Sequence, residues 1–444
     1  MTHMFTSGTR LGVVRHWGFA ELILLLSILI LVVVVAIPVL LIFWNSFVVD
    51  GAVNLTEVIN ILSRPDTREA LVNSVIIAAG VTFFSTIIGV FFAWLVSRTD
   101  MPLKGTMKLL FLVPFMLPSF IGALAWKMLL SPRSGYINVF LMDTFGLSEP
   151  IFNIYGFGGI IAVETMYLFP FVFIQVCGSL ERMDPTLEES ARIAGAGLFT
   201  ITRKITIPLI MPSIAAGALL VALYSLAHFG VPAILGTEVG IYNIPTKIYE
   251  QIHQSAGSFQ SIRAGAVLAS ILVVSAGLIL YVQGLILKSG RFQIIAGKSF
   301  RPMVLKLRGL KIPLLVFSMV YILVTVIMPT VTIFLVGGLK TYGLAMVPEN
   351  MTLENFRYIL FKWKLTRDAI WNSSYLSLSA ALVTMIAGTM ISYVIVKTEV
   401  PRRDWNKILI RVDIVSRYHI MLVTTFCGRR RGGRKPFFAE GSEW

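Results

Sequence analysis

The stretch Asp184-Pro185-Thr186-Leu187-Glu188-Glu189-Ser190-Ala191-Arg192-Ile193-Ala194-Gly195, followed after nine residues by Ile205-Thr206-Ile207-Pro208, decides how this chain is read. It is a charged island between two long apolar runs. Asp184 with Pro185 makes a helix start, an N-cap followed by a first-turn proline, and Thr186 with Glu189 offers a competing capping box. Leu187, Ala191, Ala194 and Leu198 then recur at helical spacing on one face. Ser190, Ala191, Ala194, Gly195, Ala196 and Gly197 keep the surface thin enough for another backbone to come close, and the glycines allow a sharp bend. A second short helix is expected over 199–207, with Pro208 in the first turn of the span that follows.

Around this island the chain is apolar. Its 444 residues are 56% hydrophobic and 14% charged, with a mean hydropathy of +0.81, whereas a soluble domain carries about 25% charged residues. Candidate spans lie at 20–48, 71–97, 109–131, 157–179, 209–235, 264–287, 312–337 and 370–396, each near the length a bilayer crossing requires. The fold class is therefore an all-α polytopic membrane protein with about eight intact spans. A net charge of +15 would suggest nucleic acid in a soluble protein, but here the basic residues gather in loops, where orientation requires them. Arg98, Lys104 and Lys108, then Arg182, Arg192, Arg203 and Lys204, then Lys288, Arg291, Lys298, Arg301, Lys306, Arg308 and Lys311 place these loops and the N-terminus (1–19) on the cytoplasmic side. The loop 338–369 falls outside despite Lys340, Arg357, Lys362, Lys364 and Arg367, and part of it is expected to lie along the interface as a helix. Cys177 and Cys427 are the only cysteines, so no disulfide framework is expected. The first apolar run is too long for a signal-peptide core and reads as an uncleaved span.

An internal repeat sets the organisation. Residues 68–104 and 367–403 align without a gap: Arg68, Ala70, Asn73, Ser74, Ile87, Gly89, Thr99 and Pro102 meet Arg367, Ala369, Asn372, Ser373, Ile386, Gly388, Thr398 and Pro401. Polar matches at both span boundaries point to duplication rather than shared apolarity. The same offset carries Glu189 past Trp444, so the second copy holds no such loop. After Leu409 the expected apolar run gives way to Ile410-Arg411-Val412-Asp413 and then Gly428-Arg429-Arg430-Arg431, a change of composition in mid-span that reads as a shifted frame.

Glu189-Ser190-Ala191, three residues, Gly195, nine residues and Ile205-x-Ile207-Pro208 resemble the EAA loop of permeases of bacterial binding-protein-dependent ABC importers. The family pattern is Glu-Ala-Ala, three residues, Gly, nine residues, Ile-x-Leu-Pro; Ser190 and Ile207 are mild departures in size. The wider layout resembles the fused two-half permeases of the iron(III) type, with further traces in Leu112-Val113-Pro114-Phe115-Met116-Leu117-Pro118 and Phe229-Gly230-Val231-Pro232-Ala233-Ile234-Leu235-Gly236. The resemblance implies a type I ABC importer permease fold with one complete six-span half (20–287, its EAA loop at 181–208) and a basic cytoplasmic linker (288–311). An incomplete second half (312–409) and an aberrant basic tail (410–444) follow. It implies that Glu189, Ser190, Ala191, Gly195, Ile205, Ile207 and Pro208 couple the spans to a cytoplasmic ABC ATPase dimer. ATP and Mg would be bound by that partner, with no cofactor in this chain; Gly297-Lys298-Ser299 echoes a phosphate loop, but Phe292 stands where the earlier glycine belongs. An external solute-binding protein would deliver cargo, iron(III) favoured, with thiamine, phosphonate, sulfate and polyamine open. The expected place is the bacterial inner membrane, among lipid and away from nucleic acid.

Polar residues inside spans are the candidates for the translocation pathway: Glu164, Tyr224 and His228. Lys127 reads as a snorkelling lysine. Glu164 either lines a path for cationic or chelated cargo or pairs with Lys127, and a lone His228 reads first as a histidine satisfied within the bundle. Asn73, Ser74 and their repeats suit helix-packing hydrogen bonds. No metal site is expected, since no His, Cys or carboxylate set stands at ligand spacing. The alternatives are a membrane-embedded hydrolase, for which no Ser/His, paired-Asp or His-Glu-x-x-His pattern is found, and a truncated remnant without function.

Overall fold

The computed structural model describes residues 19–49, 51–184, 186–254, 259–288 and 304–397. Pro185, Cys427, most of the basic linker, the extreme N-terminus and the aberrant tail lie outside the described residues. In chain order, α1 (Phe19–Leu31) passes through a π turn into α2 (Ile37–Phe47), and β1 (Val48–Val49) pairs antiparallel with β2 (Ala52–Val53). Asn54 caps α3 (Leu55–Ser63), accepting the Glu57 amide at 3.2 Å. α4 (Pro65–Arg98) opens on a proline with Asp66 in its first turn and ends on a base, the charge order a helix dipole favours. Then come α5 (Lys104–Leu110), α6 (Val113–Met116), α7 (Ser119–Leu130), α8 (Tyr136–Phe145) and α9 (Phe157–Arg182). The short α10 (Thr186–Ile193) and α11 (Leu198–Ile201) lead through another π turn into α12 (Ile207–Leu226), followed by α13 (Gly230–Leu235), α14 (Ile244–Gln254) and α15 (Phe259–Lys288). α16 (Lys311–Ile322), α17 (Met328–Gly337), α18 (Glu354–Arg357) and α19 (Lys364–Lys397) complete the described chain.

Among the described residues seven helical stretches are long and apolar enough to cross a membrane, or eight if the bent pair formed by α5–α6 and α7 is one span. The expected third span at 109–131 is thus no straight rod. It bends by 90° between Met116 and Ser119. Pro118 forces Leu117 into extended geometry (φ −84°, ψ 138°), which ends the first arm. The fifth span is also shorter than 209–235: α12 stops at Leu226, and 230–235 forms the separate α13.

The described residues divide into two compact units, one within 42–364 and the other of 19–41 with 365–397. In the first, α4, α9 and α12 pack tightest, and small residues set their distance. A Cβ on Gly89 would stand 2.7 Å from Cβ of Val172, and one on Gly217 would stand 2.8 Å from the Val172 Cα, so α9 is gripped from both sides. Phe92, Phe111 and Phe169 are fully buried beside this contact. Tyr321 of α16 joins them, 4.8 Å from the Phe92 ring and 5.4 Å from that of Phe169. The unit therefore runs across the linker and takes in α16 and α17.

Asn73 and Ser74 hold a neighbouring segment. Asn73 Nδ2 donates to the Tyr242 carbonyl (3.0 Å), and Ser74 Oγ accepts the Ile244 amide (2.8 Å) while donating to Ala70. In the loop after α17, Leu339 and Met351 form an antiparallel bridge. Lys340 donates to the Glu349 carbonyl and Lys362 pairs with Glu354, so two of the bases that sat awkwardly outside are paired within their own loop. A short helix does form in this loop, α18, continued by a π turn to Lys362.

Replacing Gly217 with leucine should break the α9–α12 contact, because the nearest atom is backbone and cannot swing away. The expected cost is about 3 kcal/mol or more, seen as a lowered melting temperature in detergent; unchanged melting would refute this account of the core.

Candidate functional site

The charged island folds as two short helices joined by a defined turn. The Thr186 amide donates to Asp184 Oδ1 at 2.9 Å, so of the two possible starts Asp184 is the one whose side chain serves as cap. α10 then makes two turns and closes on Gly195, whose φ is +85°. The Ala196 amide donates to Ala191 O and the Gly195 amide to Arg192 O, both at 3.0 Å. That pair of bonds is the Schellman ending, which requires a left-handed residue at this position. The spacing Ala191-x-x-x-Gly195 is therefore a stop signal for a short helix, and a Cβ at Gly195 would meet open space, so the demand is on backbone conformation alone. The second helix of the loop was expected to end at Ile207; instead α11, the π turn and α12 run on without a break from Leu198 to Leu226. Pro208 stands in the first turn of α12, and Ile205, Ile207 and Pro208 are half-buried.

Large apolar side chains along this loop face outward. Leu187 is exposed, Ile193 is 89% exposed and Phe199 77%; Glu189 and Ser190 are exposed as well, and Ala191 is half-buried. The residue that turns inward is Glu188, 5% exposed. Its Oε2 lies 3.3 Å from Arg98 Nη1 at the end of α4, and its Oε1 accepts the Thr206 hydroxyl at 2.6 Å. Arg98 is itself only 2% exposed. A buried charge needs a partner more than a leucine needs cover, so the ion pair overrides the periodicity. Sequence reading passed over Glu188 because Arg98 is distant in the chain; the doubled acid Glu188-Glu189 was the available signal. The pairing leaves Glu189 as the outward carboxylate beside an exposed Leu187, Ile193 and Phe199.

Beyond Arg98 the chain stays pinned. The Leu305 amide donates to Arg98 O (2.8 Å), the Asp100 amide to Leu305 O (3.0 Å) and the Leu307 amide to Asp100 Oδ1 (2.8 Å). Lys311 Nζ lies 2.7 Å from Asp100 Oδ2. The Leu307 amide and then Lys311 hold the Asp100 carboxyl below the usual carboxylate range. Because its folded value is depressed, its contribution is present above about pH 4 and is lost as pH falls through the folded value.

Toward the other end of α9, Glu164 is fully buried. It does not meet Lys127, which pairs with Glu238 instead. Ser225 Oγ donates to Glu164 Oε2 at 2.6 Å, and His228 Nδ1 lies 3.1 Å from Oε1, without the alignment of a hydrogen bond. The other ring nitrogen of His228 is 2.7 Å from Ser119 Oγ. The Ser119–His228–Glu164 series is a Ser/His grouping not visible in the sequence, since its members come from α7, the α12–α13 junction and α9. It ties the bend of the third span to the break after α12. Tyr224 is half-buried with its ring 4.3 Å from that of Phe171. Among the described residues no three His, Cys, Asp or Glu side chains form a metal-binding group.

Comparison with known proteins places this geometry. Residues 85–288 match the family described as binding-protein-dependent transport system inner membrane component. The ferric transport system permease protein FbpB of Actinobacillus pleuropneumoniae is 28% identical over 385 residues, 85% of this chain and 54% of the relative. The chain thus spans about half the length of that permease. The spermidine/putrescine transport system permease protein PotB of Escherichia coli K12 is 30% identical over 208 residues, 46% of this chain and 75% of the relative. A solved bacterial ABC transporter involved in the import of alginate covers 61% of this chain and 95% of its own at 17% identity, with a TM-score of 0.47. The chain belongs to the family of binding-protein-dependent transport system inner membrane components.

The two adjacent acids should behave oppositely. Glu188→Ala leaves Arg98 buried and unpaired and should cost about 3–5 kcal/mol. Glu189→Ala, on an exposed surface, should stay within about 0.5 kcal/mol of the parent. Thermal unfolding of both variants in the same detergent decides it, and equal losses would reject the burial pattern.

Proposed function

We propose that this chain is the membrane-spanning permease subunit of an ATP-driven importer, taking a solute from an external binding protein and releasing it into the cytoplasm by alternating access. The observation that carries this reading is the loop 184–208, which is held rigidly on its inner side by Glu188 and leaves Glu189, Leu187, Ile193 and Phe199 free on its outer side. A short helix anchored through a buried ion pair, with one carboxylate and several apolar groups left exposed, has the form of a docking surface for another protein. The partner would be a cytoplasmic ATPase dimer, which binds the ATP and Mg; the surrounding membrane would be the bacterial inner membrane, with the N-terminus on the cytoplasmic side. Glu189, Ser190, Ala191 and Gly195 would meet the ATPase, while Ile205, Ile207 and Pro208 would carry its movement into α12.

Iron(III) is the favoured cargo, supported by the resemblance to fused iron-type permeases and by the ferric permease relative. The polyamine permease relative keeps organic cations as the competitor. His228 and Tyr224, each half-buried, are the pathway residues a solute would reach, and Glu164 would act from behind His228.

In proteoliposomes holding the chain with its ATPase and binding protein, Glu189→Ala should lower uptake about tenfold or more, equivalent to ~1.4 kcal/mol of lost coupling. ATP hydrolysis and melting temperature should persist. Uptake at the parent level would remove the docking role from Glu189.

A further inference from the structure

The Arg98–Asp100 corner touches two things at once. On one side the Arg98 guanidinium meets Glu188 of α10, and on the other the backbone and carboxylate of residues 98–100 hold Leu305, Leu307 and Lys311. Thr99 between them is fully buried and donates its hydroxyl to Leu95 O at 2.5 Å, so the corner is an extension of α4 and not a loose loop. Lys311 begins α16, whose Tyr321 is packed into the aromatic cluster on α4 and α9.

The two sides differ in kind. The contacts to Leu305 and Leu307 are aligned hydrogen bonds of fixed direction, and Lys311 adds an ion pair. The contact to Glu188 is not: the pair lies at ion-pair distance, but none of the guanidinium nitrogens has an aligned hydrogen-bond partner among the described residues. The corner is tied to the linker end by hydrogen bonds and to α10 by a buried ion pair.

We infer that Arg98 and Asp100 form a junction that links displacement of α10 to the segment 304–311 and to α16, so that the loop of the first half is mechanically joined to the start of the second. Arg98 is a positioning residue: it acts through Glu188 and touches no solute. The purpose of the link rests on the coupling role proposed for α10; the link itself does not. Without it, a movement received at 186–193 would pass into α12 only through the chain that joins them and through Thr206. With it, the same movement also reaches the helix that opens the second half.

The test is hydrogen–deuterium exchange on the full chain in lipid nanodiscs, comparing peptides that cover 186–193 and 304–311. Asp100→Ala should speed exchange in 304–311 and, through Arg98, also in 186–193, by about fivefold. Asp100→Asn, which keeps an acceptor for the Leu307 amide, should restore most of the protection. In a Glu188→Gln background Asp100→Ala should leave 186–193 unchanged, because that link is already weakened. Faster exchange confined to 304–311 would overturn the junction. If Asp100→Ala does not fold, Lys311→Gln removes only the half-exposed end of the same anchor. It should act in the same direction with smaller size, and no response at 186–193 would again overturn the proposal. Transmitted exchange together with normal uptake by Glu189→Ala would instead overturn the coupling reading and leave the junction standing.

Discussion

The buried ion pair between Arg98 and Glu188 is the contact on which the loop side of this protein depends. Two charges taken out of water are stable only in each other's company, and here that need fixes the rotation of a two-turn helix. Once Glu188 is inside, the rest of α10 has no freedom left. Glu189 must point out, Leu187 and Ile193 must be exposed, and the helix must sit where Thr206 can complete the carboxylate's contacts. The outer surface of the loop is a by-product of what its inner surface requires.

The same logic runs through the bundle. Gly89 and Gly217 let α4 and α12 close on Val172, and Arg98, at the end of α4, and Thr206, just before α12, both meet Glu188. Further along, α9 carries Glu164 to Ser225 and His228, a second polar contact inside the unit. Each of those contacts also marks a place where a helix breaks: after Arg98, after Leu226, and at Pro118 before Ser119. Polar groups in an apolar interior are where irregular backbone is tolerated, and this unit concentrates both at the same points.

The region before α16 alters how the repeat should be pictured. The repeat suggests two equivalent halves joined by a basic tether. The structure instead stitches the entry to the second part onto the corner that follows α4, through the amides of Leu305 and Leu307 and the Lys311–Asp100 pair. Tyr321 then places α16 against the first half's own aromatic cluster.

Much of this was legible in the chain itself. Apolar runs mark spans whatever their neighbours do, because lipid imposes its demand locally and residue by residue. The helix start at Asp184 and the stop at Gly195 are equally local, set by a side-chain cap and by backbone conformation. The sequence alone therefore determined the class of protein, the position of the spans and the existence of the short loop helix. What it could not determine was which way that helix faces, where Glu164 finds its partners, or that Pro118 turns a span through 90°. Sequence reading left Glu164 open between lining a path and pairing with Lys127 and passed over Glu188; tertiary structure put Glu188 inward and gave Glu164 to His228 and Ser225. The physical reason is range. A buried charge is satisfied by whichever opposite group folding brings within a few ångströms, and Arg98 with Glu188, or His228 with Glu164, become neighbours only after the helices have packed.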